Sequence, residues 1–428
     1  MSLPTIIRMF LVVFLASSAI AQQGVPPTKE PDFTQMNEAF GIPIWKDDNL
    51  WADSDSSVAA RLGWPEESKT SNVSSYRRYA GSKDRVLDAR PFSLSLYGVK
   101  DMPSHISMVF ANKGDAAELV NPDANLSTLS GKREADRAMN DYKKYIRKDA
   151  EVIQKKLTDL LGAPQADRFG QGRDMREQVK RWDWKGHSIL LAAPREEYVA
   201  VRIIPTESLK DGVEVRISNA DMRTKLAERI VHRENGDVIL KDIPMVDQGP
   251  KGYCVPATWE RALRYMEIPA DMYVLAMAGK TDVGGGTSIS GIVGGVNDLV
   301  TRNGRRLTQV GSRVQVRAVA KYIDEGLPIM WGLFVDDNLN HRITDRAKQR
   351  ANTTDWEAWK KSLEPFRRNA RRVQINRGNG HMCMIIGYNE KTGEVAISDS
   401  WGKSFAERWV TPEEADAVGQ GSFIIINW

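Results

Sequence analysis

Apolar and polar positions follow several distinct patterns along this chain, and each pattern predicts an element. Arg8 precedes an apolar run from Met9 to Leu15 and then small residues ending in Ala19-Ile20-Ala21, the arrangement of a secretory signal cleaved after Ala21. The run is shorter than the ~20 residues a membrane-spanning helix needs. Residues 22–32 are rich in Gly, Pro and Gln, show no apolar period and read as a linker. Between Val86 and Tyr97 the pattern turns strand-like, with Phe92, Leu94 and Leu96 alternating against Ser93 and Ser95, and Ile106 to Ala111 is the expected partner strand. Met139, Tyr142, Ile146, Val152, Ile153, Leu157 and Leu160 fall at helical spacing, so Arg133 to Leu161 predicts a long amphipathic helix closed by Gly162 and Pro164. Two apolar runs, His187 to Ala193 and Tyr198 to Ile204, flank Pro194-Arg195-Glu196-Glu197 and predict an antiparallel hairpin.

Further on, Val255 to Met266 has helical character, and Ile289 to Val300 predicts a helix capped by Thr287 or Ser288. The preceding Gly284-Gly285-Gly286 lacks the Gly-Lys-Ser/Thr ending of a phosphate-binding loop. Val319 to Ile323 reads as a short helix leading through Gly326-Leu327-Pro328 to a strand at Ile329 to Phe334, with later strands from His381, at Glu394 to Ser398 and at Phe423 to Ile426. The intervening segment 336–374, rich in Arg and Lys and carrying Trp356 and Trp359, predicts a helical insertion, read either as a lid or as a solvated helical surface. The expectation is an α+β protein: a signal at 1–21, a linker at 22–32, an α+β N-terminal domain of unknown role at 33–235 and a second domain at 242–428.

A chain of 428 residues exceeds one ordinary core, and an apolar fraction of 41% beside 27% charged residues suits a globular chain. The net charge of +4 is spread along the sequence and implies no nucleic-acid partner. With the signal removed, the mature chain is expected to be exported to the periplasm or beyond without stable membrane insertion. Two cysteines, Cys254 and Cys383, make no disulfide framework for an exported protein. Trp45, Trp51, Trp64, Trp182 and Trp184 read as core residues, with a sugar- or peptide-binding surface as the other reading, and His187 reads as a surface or packing histidine. The histidines show no pairing with Cys or Asp at metal-ligand spacing, so neither metal nor cofactor is expected.

The candidate chemistry begins at Gln248-Gly249-Pro250-Lys251-Gly252-Tyr253-Cys254, a Gly/Pro-rich loop running into a helix. A cysteine at a helix N-terminus meets unpaired N–H groups and the positive end of the helix dipole, which favour the reactive thiolate. The Gln248 amide and the Cys254 backbone N–H are candidate donors for a developing oxyanion. In Gly378-Asn379-Gly380-His381 a histidine opens an apolar strand behind a Gly-rich turn and is the candidate base. Asp399, at the end of the next strand in Asp399-Ser400-Trp401-Gly402, can fix the histidine tautomer, and Trp401 can screen that bond from water. Each residue also has a plainer reading: Cys254 as a buried thiol, His381 as a core histidine, Asp399 as a turn residue. Cys383 lies on the same strand face as His381 and reads as a packing residue, with a silencing disulfide to Cys254 as the alternative.

Glutamine, a cysteine opening a helix, Gly-His on a strand and Asp-Ser-Trp-Gly, in this order, resemble the papain-like cysteine peptidases. The acid in third place is similar to the bacteriocin-processing peptidases that cleave double-glycine leaders, and most of all to their stand-alone bacterial relatives. The resemblance covers roughly Ile243 to Asn427 and implies a papain-like fold there, with Gln248 at the oxyanion hole, Cys254 as nucleophile, His381 as general base and acid, and Asp399 as third triad member. It implies a peptide or protein substrate attacked through a thioester. A silent binding or scaffold protein on the same fold, and a transglutaminase-like acyl transferase, are the other function classes.

Overall fold

The computed structural model describes residues 30–428 except 115, 117–127, 210–215, 250–251, 284–285 and 374. The expected signal and most of the expected linker lie outside the described residues. Two antiparallel eight-stranded sheets organise the chain. The first runs β1-β2-β3-β4-β8-β7-β6-β5, from β1 (Glu66–Lys69), β2 (Val73–Tyr79), β3 (Ser93–Val99), β4 (Met102–Asn112), β5 (Gln165–Phe169), β6 (Glu177–Trp184), β7 (His187–Ala192) and β8 (Tyr198–Pro205). Helices α1 (Phe33–Phe40) and α2 (Asp55–Leu62) precede it, and α3 (Leu129–Leu161) buries Tyr142, Ile146, Ile153 and Leu157 against it. Thr128 caps α3 by accepting from the Gly131 N–H at 3.1 Å. The β7–β8 hairpin pairs as its alternation predicts.

Strand character does not extend back to Val86. The ladder starts at Ser93, and the chain turns at Leu87 and Asp88, both with positive φ, where Val86 and Ala89 pair across the turn. Pro91 lacks an N–H and cannot continue a ladder, so the buried Val86 and Leu87 plug the core from a turn. Trp45, Trp64, Trp182 and Trp184 are buried in the first core and Trp51 packs on it. His187 sits among the Trp45, Trp51 and Trp184 rings, and burial pushes its pKa down to about 4.

The second sheet runs β11-β16-β12-β13-β10-β9, with β14 and β15 attached through β13. Its strands are β9 (Ile230–His232), β10 (Asp237–Leu240), β11 (Arg306–Gln309), β12 (Ile329–Phe334), β13 (Gly380–Asn389), β14 (Glu394–Ser398), β15 (Arg408–Val410) and β16 (Gly419–Asn427). Around it lie α4 (Asn219–Ala227), α5 (Cys254–Tyr265), α6 (Met272–Ala278), α7 (Ile289–Arg302), α8 (Val316–Ile323) and α12 (Pro412–Val418). Ser288 caps α7. Met222 and Leu226 of α4 join the second core, as does Met175 further upstream, and β10 pairs with β13. These elements are short and their periodicity is correspondingly faint.

The segment expected to be a helical insertion forms α9 (Asp337–Ala351), α10 (Trp356–Ser362) and α11 (Glu364–Asn369). Its inner face is not solvated. Leu339, Ile343, Arg346 and Arg350 recur at helical spacing and are buried. Arg346 donates twice to Glu414, at 2.8 Å each, and Arg350 donates to Asp237 at 2.6 and 3.0 Å and to Glu394 at 3.1 Å. The segment is clamped to the sheet by these buried pairs.

Candidate active site

Helix α5 opens at Cys254, and residues 254, 258 and 261 share one face of it. Thr258 Oγ1 donates to the Met382 carbonyl at 2.9 Å, beside His381 on β13. Arg261 Nη1 and Nη2 donate to the Ser398 carbonyl and hydroxyl at 3.2 and 2.5 Å, next to Asp399. One helix face thus fixes the cysteine against both strands that carry its candidate partners. The His381 Nε2–H donates to Asp399 Oδ1 at 2.9 Å, which leaves Nδ1 as the ring nitrogen for the Cys254 thiol. Trp401 stacks on the His381 ring with centroids 4.4 Å apart and planes 22° apart, excluding water from one face of that bond.

The electrostatics follow from these contacts. Burial disfavours the Cys254 thiolate, but the His381 ring and the N–H groups of Met382 and Val255 outweigh it and bring the thiol below its ordinary value. Burial likewise opposes a charged His381, yet hydrogen bonds to Asp399 and Cys254 raise its pKa to about 9. Both directions favour a thiolate beside a protonated imidazole. Asp399, buried, is held below the usual carboxylate range by His381 and by Arg408. Arg408 Nη2 donates to Asp399 Oδ2 at 2.6 Å, so each carboxylate oxygen has its own cationic partner. Nη1 of the same arginine donates to Asn340 Oδ1 at 2.6 Å and Thr344 Oγ1 at 2.8 Å, both on α9. Helix α9 therefore contributes, through Arg408, to holding Asp399.

Gln248 is buried, and its backbone N–H donates to the Ser400 carbonyl at 2.9 Å, which lays the glutamine loop along the Asp399–Trp401 segment. The first sheet grips the same loop. Tyr79 Oη donates to the Asp247 carbonyl at 2.6 Å, the Asp247 N–H donates to Glu67 Oε1 at 2.8 Å, and the Met245 N–H donates to Ser68 Oγ at 2.9 Å. Gly249, with φ +69°, lies so close that a Cβ there would stand 2.7–2.9 Å from the Tyr79 ring. Tyr253, which precedes the cysteine, donates to Asn112 Oδ1 at 3.1 Å and accepts from the Gly114 N–H at 2.8 Å. Tyr79→Phe is expected to cost about 1 kcal/mol of stability and, by loosening the loop before α5, to slow alkylation of Cys254 severalfold; a wild-type rate in the folded variant would show that the loop does not depend on this contact.

Cys383 is fully buried, burial pushes its thiol up, and both cysteines are free thiols, so the pair forms no disulfide. Among the described residues no group of three His, Cys, Asp or Glu side chains is arranged to hold a metal ion, and no helix is long and apolar enough to cross a membrane. Sequence reasoning missed Thr258, Arg261, Arg408 and the loop grip by Glu67, Ser68 and Tyr79. Two of these carry a detectable signal: Arg261 interrupts an apolar helix face two turns after the cysteine, and Arg408 heads the apolar strand Arg408-Trp409-Val410.

Residues 240–419 match the sequence model of the Peptidase_C39 like family, a span that includes Gln248, Cys254, His381, Asp399 and Arg408 and is less than half of the chain. The match supports a papain-like cysteine peptidase-type domain over that span, and the helices and antiparallel sheet there are consistent with it. No curated protein matches the chain.

Proposed function

We propose that this chain is an exported cysteine peptidase of papain-like fold, related to the stand-alone bacteriocin-processing type, which hydrolyses peptide bonds through Cys254, His381 and Asp399. The observation that carries the reading is the continuous line from Cys254 through His381 to Asp399, with the thiol drawn down and the imidazole raised to about 9. The thiolate attacks the scissile carbonyl carbon and its oxygen takes the negative charge, stabilised by the Gln248 amide and the Cys254 N–H. Collapse of this intermediate breaks the C–N bond as imidazolium His381 gives its proton to the leaving amine, leaving a thioester. His381, now neutral, takes a proton from water as that water attacks the thioester, and release of the acid regenerates the thiolate–imidazolium pair. Asp399 keeps the ring orientation throughout. The first sheet holds the nucleophile loop through Glu67, Ser68 and Tyr79, which supports a permanent module over a removable propeptide.

Iodoacetamide labelling of the full chain, followed by intact mass, tests this reading before any substrate is known. Rapid labelling at neutral pH that vanishes in Cys254→Ala is expected, and product analysis on a peptide library then separates hydrolysis from acyl transfer. A folded protein whose Cys254 labels no faster than an ordinary thiol would favour the silent scaffold.

A further inference from the structure

A polar groove of about 550 Å³ opens between α9, α11 and α12, lined among others by Asp336, Arg342, Phe366, Arg372, Val373 and Glu414. Its acidic walls are already engaged. Glu414 accepts two hydrogen bonds from Arg346 and two from Thr411, through its N–H and its hydroxyl, and Asp336 caps α9 by accepting from the Leu339 N–H at 2.7 Å. Its cations are not: Arg342 and Arg372 are exposed and make no ion pair among the described residues. Phe366 and Val373 supply apolar floor, with Arg346 stacked 4.4 Å from the Phe366 ring centroid. Arg368, Arg371 and Arg377, close to Arg372 in sequence, are exposed as well.

The groove adjoins the candidate site through one strand pair. Leu333 on β12 lies opposite His381 on β13, the Val335 N–H donates to the Asn379 carbonyl at 2.9 Å, and Asp336 follows at the groove wall. Leu333 and Asp336 are three residues apart, about 10 Å of extended chain, so the groove wall begins that far along the strand from the residue facing His381. Cations without an ion-pair partner among the described residues, above an apolar floor and at the end of the strand that pairs with the His381 strand, fit a carboxylate carried on a short apolar stem.

We propose that this groove is a specificity subsite that takes an acidic side chain or terminal carboxylate of the peptide substrate, with Arg342 and Arg372 as its binding residues. The inference rests on the peptidase reading above but is tested apart from it. Polarisation titrations of the full chain carrying Cys254→Ala, which cannot turn over substrate, compare two sets of short fluorescein-labelled peptides, identical except for Asp and Glu in one and Asn and Gln in the other. The acidic set is expected to bind about tenfold more tightly at low salt, and the preference is expected to shrink near 1 M salt, where the screening length is about 3 Å. Adding Arg342→Gln and Arg372→Gln, both at exposed positions, is expected to equalise the two sets. Equal binding before that change, or an acidic preference that survives it, overturns the subsite whatever the thiol does. Slow labelling of wild-type Cys254 by iodoacetamide would instead overturn the peptidase reading and leave the titration result standing.

Discussion

His381→Ala slows iodoacetamide labelling of Cys254 at pH 7 by about tenfold for every unit the thiol pKa rises, and peptide hydrolysis by about 10²- to 10⁴-fold. Burial alone pushes this thiol up, and His381 is the largest influence pulling it down, so removing the ring leaves the burial effect unopposed. The sign of the pH dependence follows. In the wild type the thiolate appears as pH rises through the depressed thiol value, and the imidazolium disappears as pH rises through about 9. Labelling is therefore expected to rise well below the usual thiol range. Hydrolysis, which also needs the ring proton for the leaving amine, is expected to trace a bell whose alkaline limb falls near pH 9. In His381→Ala the labelling profile moves alkaline and the bell is lost. A labelling profile unchanged by the substitution would remove the basis for an ion pair.

Arg408→Met is expected to lower stability by about 3–5 kcal/mol, because it strands a fully buried carboxylate, as measured by denaturant unfolding. Asp399 keeps its hydrogen bond to His381 but loses the cation on its other oxygen, and burial then drives its pKa up. Once protonated it no longer stabilises imidazolium. The acid limb of the hydrolysis profile is therefore expected to move to higher pH. Asn340→Ala, which removes one acceptor from the same guanidinium without touching Asp399, is expected to move the limb in the same direction by less. A purely structural Arg408 would lower stability in both variants and leave the acid limb where it was.

Helix α3 was legible because its apolar residues repeat at one period over many turns, and the β7–β8 hairpin because two alternating runs flank a short polar break. Val86 to Phe92 misled because a buried turn and a buried strand share the same apolar composition; the proline at 91 was the available warning. The α4–β9–β10 segment escaped because its elements are short and β10, on which β9 pairs, finds its other neighbour more than a hundred residues away on β13.

Residue chemistry and local context determined the candidate site's parts: a cysteine where a Gly/Pro loop becomes a helix, a histidine opening an apolar strand, an acid ending the next one. These are short-range statements, resting on helix-end electrostatics and strand alternation. Tertiary structure alone decided that Arg408 holds Asp399 from behind, that α9 holds Arg408, and that a sheet beginning nearly two hundred residues upstream grips the loop before Cys254. An arginine looks the same in sequence whether it is solvated or paired in the interior. Only the fold brings Arg408 and Asp399 together out of water, where the contact between them becomes strong and its loss costly.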